Sequence, residues 1–403
     1  MSSKRPNVRS EAPRADTRRE VFAVAAPGAA PLVAAECMAL GYTPLEVSDA
    51  GVTLSLTLAE LFALNCHSRL ASRVVVRLAT FAARDFATLE KQSARVTWSS
   101  VLTPGMRVRL RVTCRKSRLY HSDAVAERVA RGITNALPGL VVEGRARDDE
   151  DETSDDAAAV TSQLILVRID RDQCTISADS SGALLHRRGW RQAVAKAPLR
   201  ETLAALILAG MQWKGTEPLV DPFCGSGTIG IEAALFARRI APGLHRSFAM
   251  EQWPHAATAE YARARDVARS MVLPSVAAPI VLRDRDGGAI TAARANAERA
   301  GVATDVQIEQ GALSDTDLAS IGPRGVLLTN PPYGLRVSDG ADLRGLFARL
   351  GDVVRGGGRQ WQLGLFMPND RALLGQLRLR TTSVLRTSNG GLPVELFATQ
   401  RPA

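Results

Sequence analysis

The sequence predicts an α/β protein in two parts, an α+β region followed by a doubly wound domain on a mostly parallel sheet. Three observations carry this prediction. After residue 198, strand-like runs alternate with helical patterns, as in the βαβ units of parallel sheets. Near the C-terminus, two β-rich runs flank Asn389-Gly390-Gly391, a strong signal for an antiparallel hairpin. Before residue 180, the strand-like runs instead alternate apolar and polar residues, as half-buried strands do.

In the first part, the segment from Val21 to Tyr42 predicts a strand, a Pro/Gly turn and a helix. Further strands are predicted in VTLSLT, RVVVRLAT, MRVRLRVTCRKS and LILVRIDRDQCTISAD, and a helix in HSDAVAERVARGI. In MRVRLRVTCRKS, alternation places arginines on one face (Arg107, Arg109, Arg111) and apolar residues on the other (Val108, Leu110, Val112). The apolar face should point into a core.

The second part begins a regular alternation of strands and helices. Its predicted strands are PLVDPF, APIVLRD, TDVQIEQ, GVLLTNPP and QWQLGLFMP. Its predicted helices are TIGIEAALFARRI, AITAARANAERAG and DLRGLFARLGDVVR. The chain therefore divides into a disordered basic tail (1–20), the α+β region (21–180), a linker (181–197) and the doubly wound domain (198–403). Within the α+β region, residues 145–156 are almost purely charged, which predicts a flexible acidic loop.

The composition limits the classes of partner that the protein is expected to bind. The 51 Lys and Arg outnumber the 41 Asp and Glu among 403 residues, and this net charge of +10 favours a polyanionic partner such as nucleic acid. The five cysteines form no C-x-x-C pair, which argues against a zinc knuckle and a disulfide framework. No apolar run approaches the ~20 residues of a membrane span. We therefore expect a cytoplasmic protein with no metal and no membrane partner.

A glycine-rich loop, Asp221-Pro222-Phe223-Cys224-Gly225-Ser226-Gly227-Thr228, follows a predicted strand and opens a predicted helix. Its glycines permit a tight turn and close ligand approach, and the helix N-terminus offers free N–H groups. Asp221 would repel a pyrophosphate but suits a positive amino group, such as that of S-adenosylmethionine. Asp284 ends the next clear strand and is placed for ribose hydroxyls, a role that Asp286 could share or replace. Gly225, Gly227 and Gly230 also match the dinucleotide fingerprint, with Glu251 as a ribose acid, which keeps an NAD enzyme as an alternative.

A second motif, Asn330-Pro331-Pro332-Tyr333, ends another predicted strand and should face the same crevice. The prolines stiffen the backbone and remove two donors. The Asn330 oxygen and a nearby carbonyl could then accept both N–H groups of an exocyclic amine, and Tyr333 could stack on a base. The motif predicts methyl transfer by positioning, with no need for a strong general base.

These motifs resemble those of class I S-adenosylmethionine-dependent methyltransferases: DPFCGSGT is similar to their cofactor loop and TNPPYG to their amino-methylating loop. LLHRRGWR and KAPLRETLAALIL resemble the linker of THUMP-domain RNA methyltransferases, CRKSRLYHSDAVAERV resembles the THUMP domain, and DRDGGAITAARANAERAGV fits the family's second motif. The resemblance covers about residues 21–403 and is closest to the large-subunit ribosomal RNA guanine-N2 branch. It implies a Rossmann-like methyltransferase domain preceded by a ferredoxin-like/THUMP RNA-binding region.

The resemblance implies S-adenosylmethionine as cofactor and guanine N2 of 23S ribosomal RNA as target. Candidate cofactor contacts are Asp221, Phe223, Gly225, Ser226, Gly227, Thr228, Asp284, Arg285, Ala312 and Asn330. Candidate catalytic residues are Asn330, Pro331, Pro332 and Tyr333. Candidate phosphate contacts are Arg107, Arg109, Arg111, Arg115, Lys116 and Arg118, and the linker residues His186, Arg187 and Arg188 could also approach RNA.

The sequence departs from the family in two places. The acid that usually contacts adenine would fall near Gly311, so a backbone amide around Ala312, or the Asp315 side chain, is expected instead. Leu282 stands where the family prefers glycine. Alternative functions are a tRNA guanine-N2 methyltransferase, a DNA or protein-glutamine amino-methyltransferase, and a non-catalytic RNA-binding assembly factor. Methylation at C5 of a pyrimidine is disfavoured because no cysteine follows Cys224.

Overall fold

The computed structural model describes residues 17–145, 162–192, 199–333 and 343–400. Outside these ranges lie the predicted basic tail up to residue 16 and the predicted acidic loop from residue 146 onward. Linker residues 193–197 and Gly334, the last residue of TNPPYG, also lie outside them. The first strand begins at Arg19, so the last two residues of the predicted tail belong to a strand instead.

The described residues before 180 form one mixed sheet with helices. The strands are β1 (Arg19–Val24), β2 (Glu46–Ser48), β3 (Gly51–Leu56), β4 (Arg73–Ala82), β5 (Arg107–Arg115), β6 (Val141–Arg145), β7 (Ser162–Asp170) and β8 (Gln173–Asp179). The helices are α1 (Ala30–Ala39), α2 (Leu58–His67), α3 (Phe86–Ser93) and α4 (Ser122–Ala136). The strand order is β2-β3-β1-β4-β8-β7-β5-β6, with β5 parallel to β6 and β7 and the other pairs antiparallel.

The predicted core face of β5 is confirmed, since its three apolar residues Val108, Leu110 and Val112 are buried and α4 packs on this strand. The opposite face differs from the expectation. Arg107, at the start of the strand, is exposed and pairs with Glu143 of β6. Arg111 is only 9% exposed, because it lies in the interior of the sheet beside Leu166 of β7. The prediction that Arg111 contacts phosphate is therefore wrong, because its side chain is buried.

The described residues after 199 form the second sheet. Its strands are β9 (Leu219–Asp221), β10 (Ile280–Asp284), β11 (Gln307–Gln310), β12 (Gly325–Thr329), β13 (Trp361–Met367), β14 (Thr381–Asn389) and β15 (Leu392–Thr399). Its helices are α5 (Glu201–Gly210), α6 (Thr228–Ala237), α7 (Thr258–Ser270), α8 (Gly287–Arg299), α9 (Leu318–Ile321), α10 (Leu343–Gly356) and α11 (Arg371–Gln376).

The order of this sheet is β11-β10-β9-β12-β13-β15-β14. The first five strands are parallel and the β14–β15 hairpin is antiparallel, which confirms the predicted architecture. The hairpin turns at Gly390 and Gly391, whose φ values of 56° and 77° belong to the left-handed region that two-residue hairpin turns require. Because β9, β10 and β12 are parallel neighbours, their carboxyl ends meet at one edge of the sheet.

The linker side chains contact both parts of the protein. Arg188 is buried, donates to the carbonyls of Leu185 and Arg69, and lies 3.4 Å from the Glu232 carboxylate of α6. Burial, together with nearby arginines, holds the pKa of the His186 imidazole well below its usual range. Arg188 is therefore a structural contact, and the expectation that it approaches RNA is wrong, because its guanidinium is already committed to buried acceptors.

Candidate active site

The glycine-rich loop and the Asn330 loop lie at the same edge of the sheet and are joined by a hydrogen bond. The Thr329 hydroxyl donates to Asp221 Oδ1 at 2.6 Å, and both residues are buried. Asp221 ends β9, and Thr329 ends the neighbouring strand β12, one residue before Asn330. The crevice expected from the sequence therefore has its two principal loops side by side.

The glycine-rich loop is held in place by hydrogen bonds to one carbonyl and one side chain of β10. The Cys224 amide donates to the Arg283 carbonyl at 2.9 Å, and the Gly225 amide donates to Asp284 Oδ2 at 3.0 Å. Gly225 and Gly227 have φ values of 52° and 84°, so both positions require the left-handed conformation that glycine adopts without strain. A Cβ at Gly225 would meet no atom within 4 Å, so the space beside this backbone is open to a ligand.

Asp284 is fixed in the orientation that this loop needs. Its Oδ1 accepts from the Asp286 amide at 3.0 Å, and its own carbonyl accepts from the Gly311 amide at 3.0 Å. Asp286 caps α8 through the Gly288 amide, which leaves Asp284 rather than Asp286 beside the loop. The neighbouring side chain, Arg285, is exposed.

The electrostatics of the crevice centre on Asp221. Burial, and secondarily the neighbouring Asp284, raise the pKa of the Asp221 carboxyl to about 7, against the lowering effect of the hydrogen bonds from Thr329 and the Phe223 amide. A buried carboxylate without a cation is costly, and a positive ligand group would compensate its charge. The site thus favours a cationic ligand over a phosphate.

The two departures from the family pattern have structural explanations. Leu282 packs directly on α6, where a Cβ added at Gly230 would lie 2.2 Å from Leu282 Cδ2. The large side chain on β10 is therefore accommodated by a glycine on the facing helix. The expected adenine contact through the Ala312 amide differs from the structure, because that amide donates to Asp315 Oδ2 at 2.8 Å in a local cap. Asp315 remains the other candidate named from the sequence.

The Asn330-Pro331-Pro332-Tyr333 segment is partly accessible. Asn330 and Pro332 are half-buried and Pro331 is buried. Tyr333 is only 5% exposed and packs with the hydrophobic core, so its ring is not presented for stacking in this conformation. This differs from the expectation that Tyr333 stacks on a base, because the ring is used to fill the core below the loop.

Two contacts that sequence reasoning missed support the cofactor loop from below. Ser226 and Thr228 are both buried; the Ser226 carbonyl accepts from Asn296 Nδ2 at 3.1 Å and the Thr228 hydroxyl accepts from Arg191 Nη2 at 2.9 Å. Arg191 is the last residue of the LLHRRGWR segment. Its place in this family-like segment was the one sequence signal that could have pointed to a role at the cofactor loop. Glu251 instead caps the Phe248 amide and pairs with Arg265, so it does not take the ribose role of the NAD alternative.

The remaining basic candidates lie on and after β5. Arg109 is half-buried, whereas Arg115 at the end of β5 and Lys116 and Arg118 in the turn that leads to α4 are exposed. The Arg118 amide donates to Asp172 at 2.8 Å, which fixes this turn to the β7–β8 connection. Tyr120, 68% exposed and 4.0 Å from the His121 ring, adds an aromatic surface that the sequence reasoning did not single out.

Comparison with known proteins identifies the family. The RMKL-like methyltransferase domain family (UPF0020) matches residues 188–396, and the RlmL ferredoxin-like domain matches residues 20–75. The chain belongs to this methyltransferase family. It is 32% identical to a Synechocystis sp. protein named "Putative RNA methyltransferase slr0064", over 94% of this chain and 96% of the relative. It is 36% identical to the ribosomal RNA large subunit methyltransferase K/L of Syntrophotalea carbinolica, over 95% of this chain and 53% of the relative.

Solved structures support the same fold. The crystal structure of SMU.472, described as "a putative methyltransferase complexed with SAH", has a TM-score of 0.83 and 26% identity, covering 96% of this chain and 99% of that one. The predictions of a Rossmann-like methyltransferase fold, an N-terminal ferredoxin-like domain and a methyltransferase enzyme are confirmed. SAH is S-adenosylhomocysteine, the product that S-adenosylmethionine leaves after methyl transfer, so its presence in the related structure agrees with the predicted cofactor.

Two further observations concern the expected partners. In the described ranges, no helix is both long and apolar enough to cross a bilayer. In the same ranges, no three or more His, Cys, Asp or Glu side chains are grouped so that they could hold a metal ion.

Proposed function

We propose that this protein transfers the methyl group of S-adenosylmethionine to an exocyclic base amine in RNA, with guanine N2 of 23S ribosomal RNA as the first candidate. The 2.6 Å hydrogen bond from Thr329 to Asp221 carries the proposal, because it brings the cofactor loop and the Asn330 loop together. The name of the Syntrophotalea relative supports ribosomal RNA as the substrate. The chain spans about half of that relative, so the target nucleotide is part of the proposal.

The residues present fit the cofactor. Gly225 leaves open space where a side chain would stand, which lets a ligand lie against the backbone. Asp221 would hold the cofactor's amino group, Asp284 its ribose hydroxyls and Asp315 its adenine. S-Adenosylmethionine supplies a methyl group activated by the attached sulfonium.

The Asn330 loop would hold the target amine. The Asn330 side-chain oxygen and a neighbouring carbonyl accept the two N–H groups, which turns the nitrogen lone pair toward the methyl donor. Pro331 and Pro332 keep the loop backbone stiff and offer no competing N–H. Because catalysis is mainly alignment, the proton can leave after methyl transfer and no strong base is required.

RNA binding is assigned to the N-terminal part of the protein. Arg115, the last residue of β5, and Lys116 and Arg118 of the following turn form an exposed basic surface, and Arg107 extends this surface along the strand. Such a surface suits RNA recognition through phosphate and shape. The location that follows from this substrate is the cytoplasm.

Substitution of Asn330 tests the proposed reaction. Asn330→Ala should lower the rate constant of methyl transfer by at least ~10²-fold, because the amine loses the acceptor that aligns it, while RNA affinity stays nearly unchanged. The measurement is single-turnover methylation followed by mass spectrometry of the nucleosides, with 23S ribosomal RNA, tRNA and DNA as substrates. Asn369→Ala is the matched control, since Asn369 bonds Glu395 at an exposed site.

A wild-type rate in Asn330→Ala would contradict the role of the loop. Methylation of tRNA alone would move the substrate to that class, and methylation of DNA alone would remove RNA from the proposal. Binding of RNA without methylation of any substrate would favour the non-catalytic assembly factor.

A further inference from the structure

The linker dipeptide Trp190-Arg191 is connected to the cofactor loop on both sides of Gly227, directly through Arg191 and indirectly through Trp190. Arg191 Nη2 donates to the Thr228 hydroxyl at 2.9 Å and also bonds the Leu199 carbonyl. Thr228 is the first residue of α6, directly after Gly227. The guanidinium therefore contacts the point at which the loop becomes a helix.

Arg191 also holds the neighbouring helix. Its Nε lies 3.2 Å from Glu201 Oε1, and the two side chains are only 11% and 4% exposed. Glu201 is the first residue of α5, which packs against α6. One buried guanidinium thus joins the N-terminal ends of both helices. A lysine cannot reproduce this, because it lacks the planar set of donors that reaches several acceptors at once.

Trp190 provides a second, indirect connection to the loop through Arg299 and Asn296. Its carbonyl accepts from Arg299 Nε at 2.8 Å, and Arg299 in turn donates to Asn296 Oδ1. Asn296 is fully buried and donates to the Ser226 carbonyl at 3.1 Å. The linker is thereby connected to Ser226 on one side of Gly227 and to Thr228 on the other.

We propose that Arg191 is a positioning residue for the cofactor loop, acting through Thr228 and Glu201, and that the linker thereby sets the affinity for S-adenosylmethionine. This inference rests on the proposed function, since it assigns the loop to cofactor binding. Gly225 and Gly227 leave the loop backbone free to adopt other conformations. Contacts at Ser226 and Thr228 restrict it to one, so the ordering cost is not incurred when the ligand binds.

The test compares Arg191→Ala, Arg191→Lys and Thr228→Val with the wild-type protein. Calorimetry with S-adenosylhomocysteine gives the cofactor affinity, and steady-state methylation gives KM for S-adenosylmethionine separately from kcat. Arg191→Ala should weaken S-adenosylhomocysteine binding by about tenfold or more, as expected for loss of a charge-assisted hydrogen bond, with RNA affinity unchanged. Thr228→Val should show the same defect, and the double variant should be no worse than Arg191→Ala.

Arg238→Ala is the matched control. Arg238 lies at the C-terminal end of the same helix and pairs with Asp305 at 2.9 Å, so its loss should lower Tm without changing cofactor affinity. Cofactor affinity and KM within twofold of wild type in a folded Arg191→Ala protein would overturn the inference. If Arg191→Ala does not fold, unchanged affinity in Thr228→Val overturns it instead. Absence of S-adenosylhomocysteine binding in the wild type would refute the proposed function itself.

Discussion

Asp221 is the residue on which the electrostatics of the site depend. It combines complete burial with a nearby second carboxylate, and its compensating contacts are two hydrogen bonds from Thr329 and the Phe223 amide. Its pKa of about 7 means that its charge changes near neutral pH. Because the folded-state value is above the unfolded one, this group favours folding at low pH and loses that contribution as pH rises through 7.

Ligand binding should have the opposite pH dependence. A ligand with a positive amino group binds the ionised form of Asp221, and the ionised fraction rises about tenfold from pH 6 to pH 8 for a pKa near 7. S-Adenosylhomocysteine affinity should therefore rise by up to about tenfold across this range, as measured by calorimetry. Asp221→Asn should bind weakly with no such pH dependence. A flat profile in the wild type would show that Asp221 does not contact the ligand's cation.

The site residues show where sequence reasoning ends. Asp221, Gly225 and Asp284 could be placed in one crevice because strand-end position and glycine content are local properties of the sequence. The Ala312 amide could not be judged in the same way, since its bond to Asp315 depends on a cap geometry that spacing alone does not specify. Tyr333 is similar, because only the packed structure shows that the ring fills the core.

At the scale of elements, β5 illustrates how far alternation can be used. It correctly predicts which residues face α4, because successive side chains of a strand point to opposite faces. It does not predict that Arg111 is buried, because alternation assigns a face and not its neighbours. A cluster of exposed cations lies instead at the end of the strand and in the following turn, at Arg115, Lys116 and Arg118.

Charge reversal in this turn should weaken RNA binding in a salt-dependent way. Arg115→Glu combined with Arg118→Glu removes two cations, so the slope of log affinity against log salt should become shallower by about 1.4–1.8. Filter binding across a salt series measures this slope. Arg263→Glu combined with Arg269→Glu, an equal charge change at exposed positions of α7, should leave the slope unchanged. Parallel salt curves for the turn variant and the wild type would place the RNA surface elsewhere.

At the scale of the whole molecule, buried ion pairs join the two parts at α6, the helix that starts at the cofactor loop. Glu232 of α6 is fully buried between Arg188 of the linker, at 3.4 Å, and Arg69 of the N-terminal part, at 3.9 Å. Arg69 also donates to the carbonyls of Leu235 and Ile240. The sequence showed a linker rich in arginine, but a solvated arginine and a buried one have the same local pattern, so this junction could not be predicted.

Removal of the Glu232 carboxylate should therefore lower the free energy of unfolding more than removal of an exposed glutamate would. Glu232→Ala leaves two buried guanidinium groups without their carboxylate, and loss of one partner of a buried pair costs about 3–5 kcal/mol. Urea unfolding should show a lower midpoint, with the two parts unfolding in separate transitions because the junction between them is weakened. Glu127→Ala breaks an exposed pair with Arg131 and should leave the midpoint unchanged. A single transition at the wild-type midpoint in Glu232→Ala would mean that apolar packing, and not this ion pair, holds the two parts together.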